Sequence, residues 1–371
     1  MRYLIAGGLL ATLLVTPCAL QAQVADPAAA AGATFQSYSF KSADKVDLDK
    51  VSLLAVPISA RAILGDRFDI TVNGAYASAK LTHANGQESS LSGLTDTEIR
   101  LTYALRQDRI RLSAIALAPT GKEKLTADQL EVSGVIAADL LPFAVSNWGT
   151  GGGLGVNAAL AIPKSDATSF GLSAGYVVAR EFEPLDATSF AYRPGNQLQV
   201  HAAADHTIGS SVKGSLQLTY LHYSQDQGDG ANLYQAGDRL QGVGSLAFTA
   251  GTNSAGIVYA GYLRRQRGKY TDVVLVTPSQ DLVYTGIGFR HPMAGAVLVP
   301  SVDVRVLGNE AGVEQGNTIT AGTGLELTVG PTTIVPAVRA RFGRLTVRSG
   351  QESAFSGLEF GLTLRSQALS R

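Results

Sequence analysis

The sequence predicts an all-β protein, a transmembrane antiparallel β-barrel. Three observations carry this prediction: a two-sided strand near the end of the chain, the repetition of such strands, and an alternation of short and long connections. In the last strand Leu358, Phe360 and Leu362 fall on one side, whereas Glu359 and Thr363 fall on the other. Side chains of a strand alternate between its faces, so one face is apolar and the other is polar or small. A soluble sheet would bury the apolar face in a core; a membrane barrel would turn it to lipid and keep the polar face in a wet lumen.

The composition favours a sheet-rich protein. The chain has 371 residues, with 30 Lys and Arg against 30 Asp and Glu. This balance gives no support to nucleic-acid binding, which needs an excess of positive charge. Glycine is abundant at 41 residues and charged residues are scarce at 16%, without a collagen-like period.

The first 22 residues have the form of a signal peptide. A basic start is followed by an apolar run from Leu4 to Val15, and the small residue Ala22 marks a plausible cleavage site. The run is too short to cross a bilayer as a helix, which takes about 20 residues. Cys18 then leaves with the signal, so the mature chain offers neither a disulfide nor thiol chemistry. A lipoprotein cysteine is the alternative, but the residues before Cys18 fit it poorly.

The mature chain is predicted to have two parts. Residues 23–34 are expected to be a flexible leader, and residues 35–371 the barrel. A soluble β-protein, secreted or periplasmic, is the rival interpretation.

Strand-like segments recur along the chain. One hairpin shows the pattern clearly, because Ile99, Leu101 and Tyr103 alternate with Glu98 and Arg100. Counting such segments gives about sixteen strands, with fourteen as the alternative because the first two candidates are weak and bacterial barrels have even numbers. Aromatic residues near strand ends suit the girdles of a membrane barrel: Tyr76, Tyr103, Tyr176, Tyr220, Phe248, Tyr262, Phe289, Phe342 and Phe360.

The connections alternate in length. Short turns rich in Gly, Asn, Ser and Pro are followed by long polar loops at 182–196, 224–238, 264–280, 308–317 and 343–354. Outer-membrane barrels show this alternation, with short periplasmic turns and long external loops.

Residues 122–152 break the rhythm of strands. Thr126 and Gln129 have the spacing of a helix capping box, and Leu130–Leu141 is predicted to be a short helix. In a barrel this segment would be a loop that folds over or into the mouth.

Three short motifs around this region resemble motifs of a known family. Gly93-Leu94-Thr95-Asp96-Thr97, then a hairpin, then Pro119-Thr120-Gly121 and Gly149-Thr150-Gly151, are similar to motifs of outer-membrane transporter barrels of the phenol meta-pathway type. The resemblance covers about residues 90–155 and implies a barrel that admits small, often hydrophobic or aromatic, molecules. It brings no catalytic residues. Gly357–Leu362 resembles the signal read by the barrel-assembly machinery, although the chain ends at Arg371 and not at an aromatic residue.

The alternation places a set of charged residues on the lumen side. Hairpin register puts Asp303 opposite Gly322, Gly322 opposite Arg341, and Arg341 opposite Glu359, which predicts a cross-strand charge ladder to within about two residues. The ladder is either a structural lattice of ion pairs or a constriction that filters solutes by charge. The predicted lumen-lining residues are Glu98, Arg100, Arg111, Asp303, Arg305, Glu326, Arg339, Arg341 and Glu359.

Catalysis is not expected. His201 and Asp205 share a face but lie about 13 Å apart along one strand, too far for a base and its partner. His222 and Ser224 are a pair of a kind that is common by chance. No His and carboxylate spacing suggests a metal, and no phosphate-binding glycine motif precedes a helix, so no cofactor is predicted.

The preferred function is passive uptake of small solutes through an outer-membrane channel; the alternative is a non-conducting structural or surface-binding barrel. The expected partners are membrane lipid, the small solute and the assembly machinery. The basic run Arg264–Lys269 is either a solvated loop tip or a contact for lipopolysaccharide phosphates.

Overall fold

The sixteen strands predicted from the sequence close into an antiparallel barrel. The computed structural model describes residues 29–65, 67–105, 109–251, 253–271, 276–310, 315–348 and 351–366, so the predicted signal peptide lies outside the described residues. Within these ranges the first strand pairs with the last and the sheet has no free edge. Closure matters because every backbone polar group must be paired inside lipid.

The elements follow one another in a simple up-and-down order. The strands are β1 (Ala29–Phe40), β2 (Lys50–Leu64), β3 (Phe68–Thr82), β4 (Glu88–Leu94), β5 (Thr97–Leu105), β6 (Ile110–Ala118), β7 (Gly153–Pro163), β8 (Thr168–Ala179), β9 (Tyr192–Arg193), β10 (Gln197–Ile208), β11 (Val212–Tyr223), β12 (Gln225–Gly228), β13 (Ala231–Gln235), β14 (Arg239–Ala250), β15 (Ser254–Arg265), β16 (Gly268–Tyr270), β17 (Val276–Thr277), β18 (Gln280–Met293), β19 (Ala296–Asn309), β20 (Gln315–Val329), β21 (Thr332–Arg348) and β22 (Gln351–Ser366). The described helices are α1 (Ala43–Val46) and α2 (Ala127–Ile136). The segments β4 and β5 are successive halves of one barrel strand, and both pair with β3.

The start of the barrel corrects one predicted boundary. Residues 29–34, assigned from the sequence to a flexible leader, belong to β1. They pair with the end of β22, where Ala29 lies opposite Ser366 and Gly32 opposite Thr363. Without them the last part of β22 would present unpaired backbone groups to lipid, which is costly. Their small side chains carry little strand signal, so the pattern of residues alone misses them.

The outer face of the barrel is apolar. Leu358, Phe360, Leu362 and Leu364 of β22 are exposed and point away from Glu359, which is buried on the inner face. The same division holds on β7 and β8, where exposed apolar residues alternate with small or polar ones. This continuous apolar exterior is the surface that meets lipid in a membrane barrel.

Outward tyrosines mark one rim of this exterior. The hydroxyls of Tyr220 and Tyr262 donate to Asp238 and Asp281, at 2.6 and 2.5 Å, and Tyr176 accepts from Asn196 at 3.1 Å. Each ring lies on the apolar face while its hydroxyl reaches the polar loop beyond. This amphipathic placement is typical of the membrane interface.

The two ends of the barrel differ as the sequence predicts. One end carries the short turns and both described termini. At the other end the loops build a second, five-stranded sheet in the order β17-β16-β13-β12-β9, a structure the sequence analysis did not anticipate. The rule for outer-membrane barrels places this sheet outside the cell. No helix in the described ranges combines the length and the apolar character required to cross a bilayer.

The chief apolar cluster lies inside the barrel. Inward side chains of β1 to β4 and β22 pack with residues from the segment between β6 and β7. Its fully buried members include Tyr38, Leu53, Leu81, Leu91 and Trp148. A barrel of this strand number normally leaves an aqueous lumen that wall side chains cannot fill. The inward apolar side chains are buried because the segment between β6 and β7 covers them, so this segment occupies part of the lumen.

Candidate functional site

The candidate site is the lumen together with the segment that enters it, residues 119–152, which we call the inner loop. The inner loop joins β6 to β7 and contains α2. Thr126 caps α2: its side chain accepts from the backbone of Gln129, whose own side chain binds the backbone of Thr126. The capping box follows the sequence prediction, but the helix spans Ala127–Ile136 and not Leu130–Leu141. The helix ends at the C-cap residue Ala137, whose backbone N–H bonds to the carbonyl of Ser133, and it does not continue to Leu141.

Asp96 ties both ends of the inner loop to the wall. Its Oδ1 accepts from the backbone N–H of Gly121 at 3.1 Å, and its Oδ2 accepts from the backbone N–H and the hydroxyl of Thr150, both at 2.7 Å. Thr120 adds a bond from its hydroxyl to the carbonyl of Thr95 at 2.9 Å. We call this arrangement the Asp96 clasp. It brings together all three sequence motifs that carry the family resemblance.

Glycine is required at two positions of the clasp. A Cβ on Gly121 would lie 2.0 Å from the carbonyl oxygen of Trp148, so only glycine lets the two ends of the loop approach so closely. Gly151 has a φ of +78°, and a Cβ there would meet the Phe182 ring at 2.4 Å. Both restrictions are steric and explain the residue type directly.

Apolar contacts fix the far part of the inner loop against β1 and β3. The ring of Phe143 packs edge-on against Tyr38 with centroids 5.3 Å apart. Trp148, 1% exposed, donates from its indole nitrogen to the carbonyl of Ala77 at 3.1 Å. The side chain of Gln36 accepts from the backbone N–H of Ala144 at 2.8 Å. These contacts anchor the inner loop firmly on one side of the lumen.

The inner loop also reaches the wall formed by β15 and β18 to β20. Leu140 packs in a second, smaller cluster with Leu282, Tyr284 and Leu307. The carboxylate of Asp139 lies 3.6 Å from the guanidinium of Arg265. The contacts of the loop with the barrel wall thus follow one continuous arc, from β15 through β22 to β3. Its first part also contacts the external loop after β8, where Leu125 pairs with Leu185 and Lys124 lies 2.5 Å from Glu183.

The middle of the opposite arc is lined by small and neutral polar side chains, whereas the ion pair of Asp205 with Lys213 at 3.3 Å and the buried Arg239 lie towards its two ends. On β7, β8, β10, β11 and β14 the inward positions include Asn157, Ser173, His201, Thr219 and Gln241. Four of them form a row across neighbouring strands, since Ser173 lies opposite His201, His201 opposite Thr219, and Thr219 opposite Gln241. His201 and Thr219 are joined by a hydrogen bond of 2.9 Å. The space between this wall and the inner loop is the candidate solute path.

The residues predicted to line the lumen occupy the face opposite the exposed apolar side chains. Glu98 and Arg100 form an ion pair at 3.2 Å on β5, and Arg111 lies on the inner face of β6. Glu326 pairs with Arg290 near the short-turn end, apart from the rest. The five remaining residues gather on β19, β21 and β22: Asp303, Arg305, Arg339, Arg341 and Glu359.

The register of the charged residues differs by two residues from the predicted one, which is the tolerance stated for it. Asp303 lies opposite Thr320, not Gly322, and Arg341 lies opposite Thr320 and Gly357. The hairpin turns are tighter than the sequence suggests, because β20 and β21 extend to Val329 and Thr332. A shift of two residues leaves every side chain on the same face of the sheet, because side chains alternate between the faces with a period of two.

Part of the predicted ladder still forms, because long side chains reach diagonally positioned residues on the neighbouring strand. Arg341 binds Glu359 through Nη2 at 3.0 Å and Nε at 3.1 Å, and Arg339 lies 4.0 Å from the same carboxylate. Tyr38 donates to Glu359 at 2.7 Å. Asp303 instead faces Arg305, at 3.6 Å. The charges therefore form two neighbouring groups and not one continuous ladder.

The basic run at 264–269 is largely paired. Arg264 lies 3.5 Å from Asp281, and Arg267 lies 2.5 Å from Glu310 in the next external loop. The hydrogen bond from Arg267 lowers the pKa of the Glu310 carboxyl to about 2. Contact of this run with lipopolysaccharide stays a prediction, and these pairs reduce the charge that the run presents.

The external sheet holds one buried carboxyl. Asp226 accepts from the hydroxyl of Tyr192 at 2.6 Å and from the backbone N–H of Gly195 at 2.7 Å. Burial raises the pKa of this carboxyl, and the two hydrogen bonds act in the opposite sense. The contact joins the loops before β10 and after β11 and so stiffens the external sheet.

The side chains considered for catalysis have other partners. His201 binds Thr219, whereas Asp205 accepts from Ser215 at 2.6 Å. His222 binds Asp238 at 2.9 Å, and Ser224 accepts from the backbone of Asn196. The search for groups of three or more His, Cys, Asp or Glu that could hold a metal found none among the described residues.

Comparisons with known proteins address the fold. No family model matches the chain, and no curated protein matches it. Among solved structures, OprB of Pseudomonas putida at high pH covers 90% of this chain and 93% of its own, with a TM-score of 0.53 and 10% identity. The outer membrane channel DcaP of Acinetobacter baumannii covers 90% of this chain and 95% of its own, with a TM-score of 0.43 and 9% identity.

The likeness to OprB supports the fold alone, because the identity is low. Together with the closed sheet and the apolar exterior, it identifies a porin-like β-barrel of the bacterial outer membrane. The more specific resemblance to the phenol meta-pathway type is not confirmed by these matches and stays a prediction.

Proposed function

We propose that the protein is a passive channel for small solutes, in which the inner loop narrows the lumen and the β7 to β14 wall guides the solute. The observation that carries this proposal is the one-sided placement of the inner loop. It leans on one arc of the wall, while the opposite arc presents small polar side chains such as Asn157, Ser173 and Thr219. A barrel of sixteen strands is wide enough to leave an aqueous path beside such a loop.

The proposed solutes are small and include aromatic and hydrophobic molecules, in line with the resemblance of the Asp96 region. A narrowed lumen limits solute size, and the charged groups on β19 to β22 sort solutes by charge. The expected contacts with lipopolysaccharide and with the assembly machinery belong to the same proposal, since both are general needs of an outer-membrane barrel.

A non-conducting barrel is the second candidate. The observation that favours it is the extent of the apolar packing under the inner loop, where Phe143 and Trp148 are 3% and 1% exposed. A loop anchored this well could serve as a permanent plug, leaving the external sheet to bind a partner.

Bilayer recording separates the two candidates. The purified chain should give discrete current steps in planar bilayers, and liposomes that contain it should swell in small neutral solutes. A deletion strain should take up at least one class of aromatic or aliphatic compound more slowly. Intact barrels that produce neither current nor swelling would favour the plugged interpretation.

A further inference from the structure

We propose that the inner wall of β19 to β21 carries a binding subsite for a small monocarboxylate, formed by Arg305, Thr318, Thr320 and Arg341. This inference deepens the proposed function, since it names a class of solute that the lumen would select. It rests on polar groups that are buried beside the inner loop and lack hydrogen-bond partners.

Four unpartnered donors lie deep in the wall, beside one unpartnered acceptor, Oδ1 of Asp303. Thr318, Thr320 and Arg341 are 2%, 1% and 2% exposed. Neither threonine hydroxyl has a hydrogen-bond partner among the described residues, and the same is true of Nη1 of Arg341 and Nε of Arg305. Burying such a group unpaired costs free energy, and native proteins leave few of them. The gathering of four such donors in one patch is the observation that supports a bound ligand.

Strand register brings these groups onto one patch. Thr318 lies directly opposite Arg305, and Thr320 lies opposite Arg341 on its other side. Facing side chains on neighbouring strands have Cβ atoms about 5 Å apart. Arg341 is near enough to Arg305 for the two positive charges to repel each other. An anion between them would relieve this repulsion and accept from both hydroxyls.

The charge of the patch favours a monoanion. Three arginines, at 305, 339 and 341, face two carboxylates, Asp303 and Glu359. Glu359 is already held by Tyr38 and Arg341. Asp303 holds Arg305 only by charge, across 3.6 Å, so Nε of Arg305 stays able to donate. The net charge of the group is one positive charge, so a monoanion neutralises it, whereas a dianion would leave one negative charge in excess.

A carboxylate fits this donor set by its chemistry. Its two oxygens accept several hydrogen bonds, and bonds from guanidinium groups are strengthened by charge. The cation–π contact of Arg305 with Tyr284, 5.8 Å from guanidinium carbon to ring centre, places an aromatic surface next to the donors. An aromatic monocarboxylate would use both features.

The test uses the full chain and benzoate as the probe. Benzoate should reduce the potassium chloride current in a concentration-dependent way, and calorimetry on the detergent-solubilised barrel should detect its binding. Benzyl alcohol, which has the same ring without the charge, should do neither. Phenyl phosphate, a dianion at about pH 8, should bind more weakly than benzoate.

The double variant Thr318→Val and Thr320→Val separates a binding role from a structural one. Valine preserves shape but removes both donors, so the dissociation constant of benzoate should rise about tenfold. Thr285→Val, on the outward face of β18, is the matched control and should leave benzoate binding unchanged. Arg341→Gln should weaken benzoate further, but it also leaves Glu359 less well paired.

The outcomes are distinct. If the double variant gains thermal stability and binds benzoate as the parent does, the hydroxyls are only poorly packed and the subsite is refuted. Equal binding of benzoate and benzyl alcohol, or no benzoate binding to the parent, also refutes it. Benzoate binding without any current would preserve the subsite and refute the channel.

Discussion

The Asp96 clasp predicts that one uncharged substitution will loosen the inner loop. Asp96→Asn changes one carboxylate oxygen into an NH₂ group. The carboxylate accepts three hydrogen bonds, from Gly121 on one side and from the N–H and hydroxyl of Thr150 on the other. The amide has a single acceptor oxygen, so it can accept hydrogen bonds from either Gly121 or Thr150 but not from both. Its NH₂ group then lies against an N–H donor on the other side.

The size of the effect follows from these bonds. A hydrogen bond to a charged group contributes about 1.5–3 kcal/mol, and Asp96→Asn removes the charge from all three while losing at least one. We expect the closed position of the inner loop to lose about 2–4 kcal/mol. Since 1.4 kcal/mol corresponds to about a tenfold change, the ratio of open to closed loop should rise about 30- to 700-fold.

The assays are single-channel recording and limited proteolysis. The variant should show larger or more frequent high-conductance states, and trypsin should cut at Lys122 or Lys124 faster than in the parent. Glu88→Gln is the matched control, because Glu88 pairs with Lys80 in an exposed position away from the inner loop. If Asp96→Asn behaves like Glu88→Gln in both assays, the clasp does not hold the loop and the reasoning fails.

Three further predictions concern the membrane face, the plug and the external loops. Leu218→Arg, at the middle of an outward strand face, should destabilise the barrel by about 2–4 kcal/mol in lipid unfolding experiments, and an unchanged midpoint would contradict a lipid-facing position. Trp148→Ala should cost about 3–5 kcal/mol through the cavity it leaves and the hydrogen bond lost at Ala77, read as a lower melting temperature of the folded band on unheated gels. The contact of Arg267 with Glu310 should persist to low pH, because the pKa of the Glu310 carboxyl is lowered to about 2 in the folded chain. The stabilisation by this contact is therefore complete above the pKa of the unfolded chain, about 4.3, and is lost as the pH falls through about 2. Hydrogen exchange of the external loops across this pH range measures it, and protection that ends already above the unfolded value would count against the pair.

The sequence predicts the exterior of the barrel better than its interior. Alternation on β22 assigns Phe360 to lipid and Glu359 to the lumen without further information, because a period of two allows no intermediate choice. The pattern does not predict the exact register, since moving the centre of a hairpin by one residue shifts the partner of Arg341 by two positions and leaves its face unchanged. Which charged groups form ion pairs then depends on how far the side chains reach, as in the diagonal contact of Arg341 with Glu359.

The apolar patch under the inner loop has a signal in the sequence of β2 that alternation alone does not reveal. In β2 the residues Val51, Leu53 and Ala55 point inward while Leu54 and Ile58 point outward, so both faces are apolar. A strand apolar on both faces is one that is covered on both sides. Inside a barrel the cover has to come from a loop, so this pattern could have indicated which wall the inner loop contacts.

In the proposed channel, the asymmetry of the inner loop links the fold to selection of solutes. A sixteen-stranded wall encloses too wide a space for its own side chains to discriminate among small molecules. Discrimination therefore depends on a second surface held at a fixed distance from the wall, and the Asp96 clasp together with Trp148 supplies that fixed surface. Next to β1 to β4 the inner loop and the wall bury each other's apolar side chains, and the indole N–H of Trp148 has a partner. Next to β19–β21 the wall keeps donors that the loop does not pair, such as the hydroxyls of Thr318 and Thr320. A solute that accepts hydrogen bonds from these donors would bind here more tightly than one that cannot, and the proposed channel would select it.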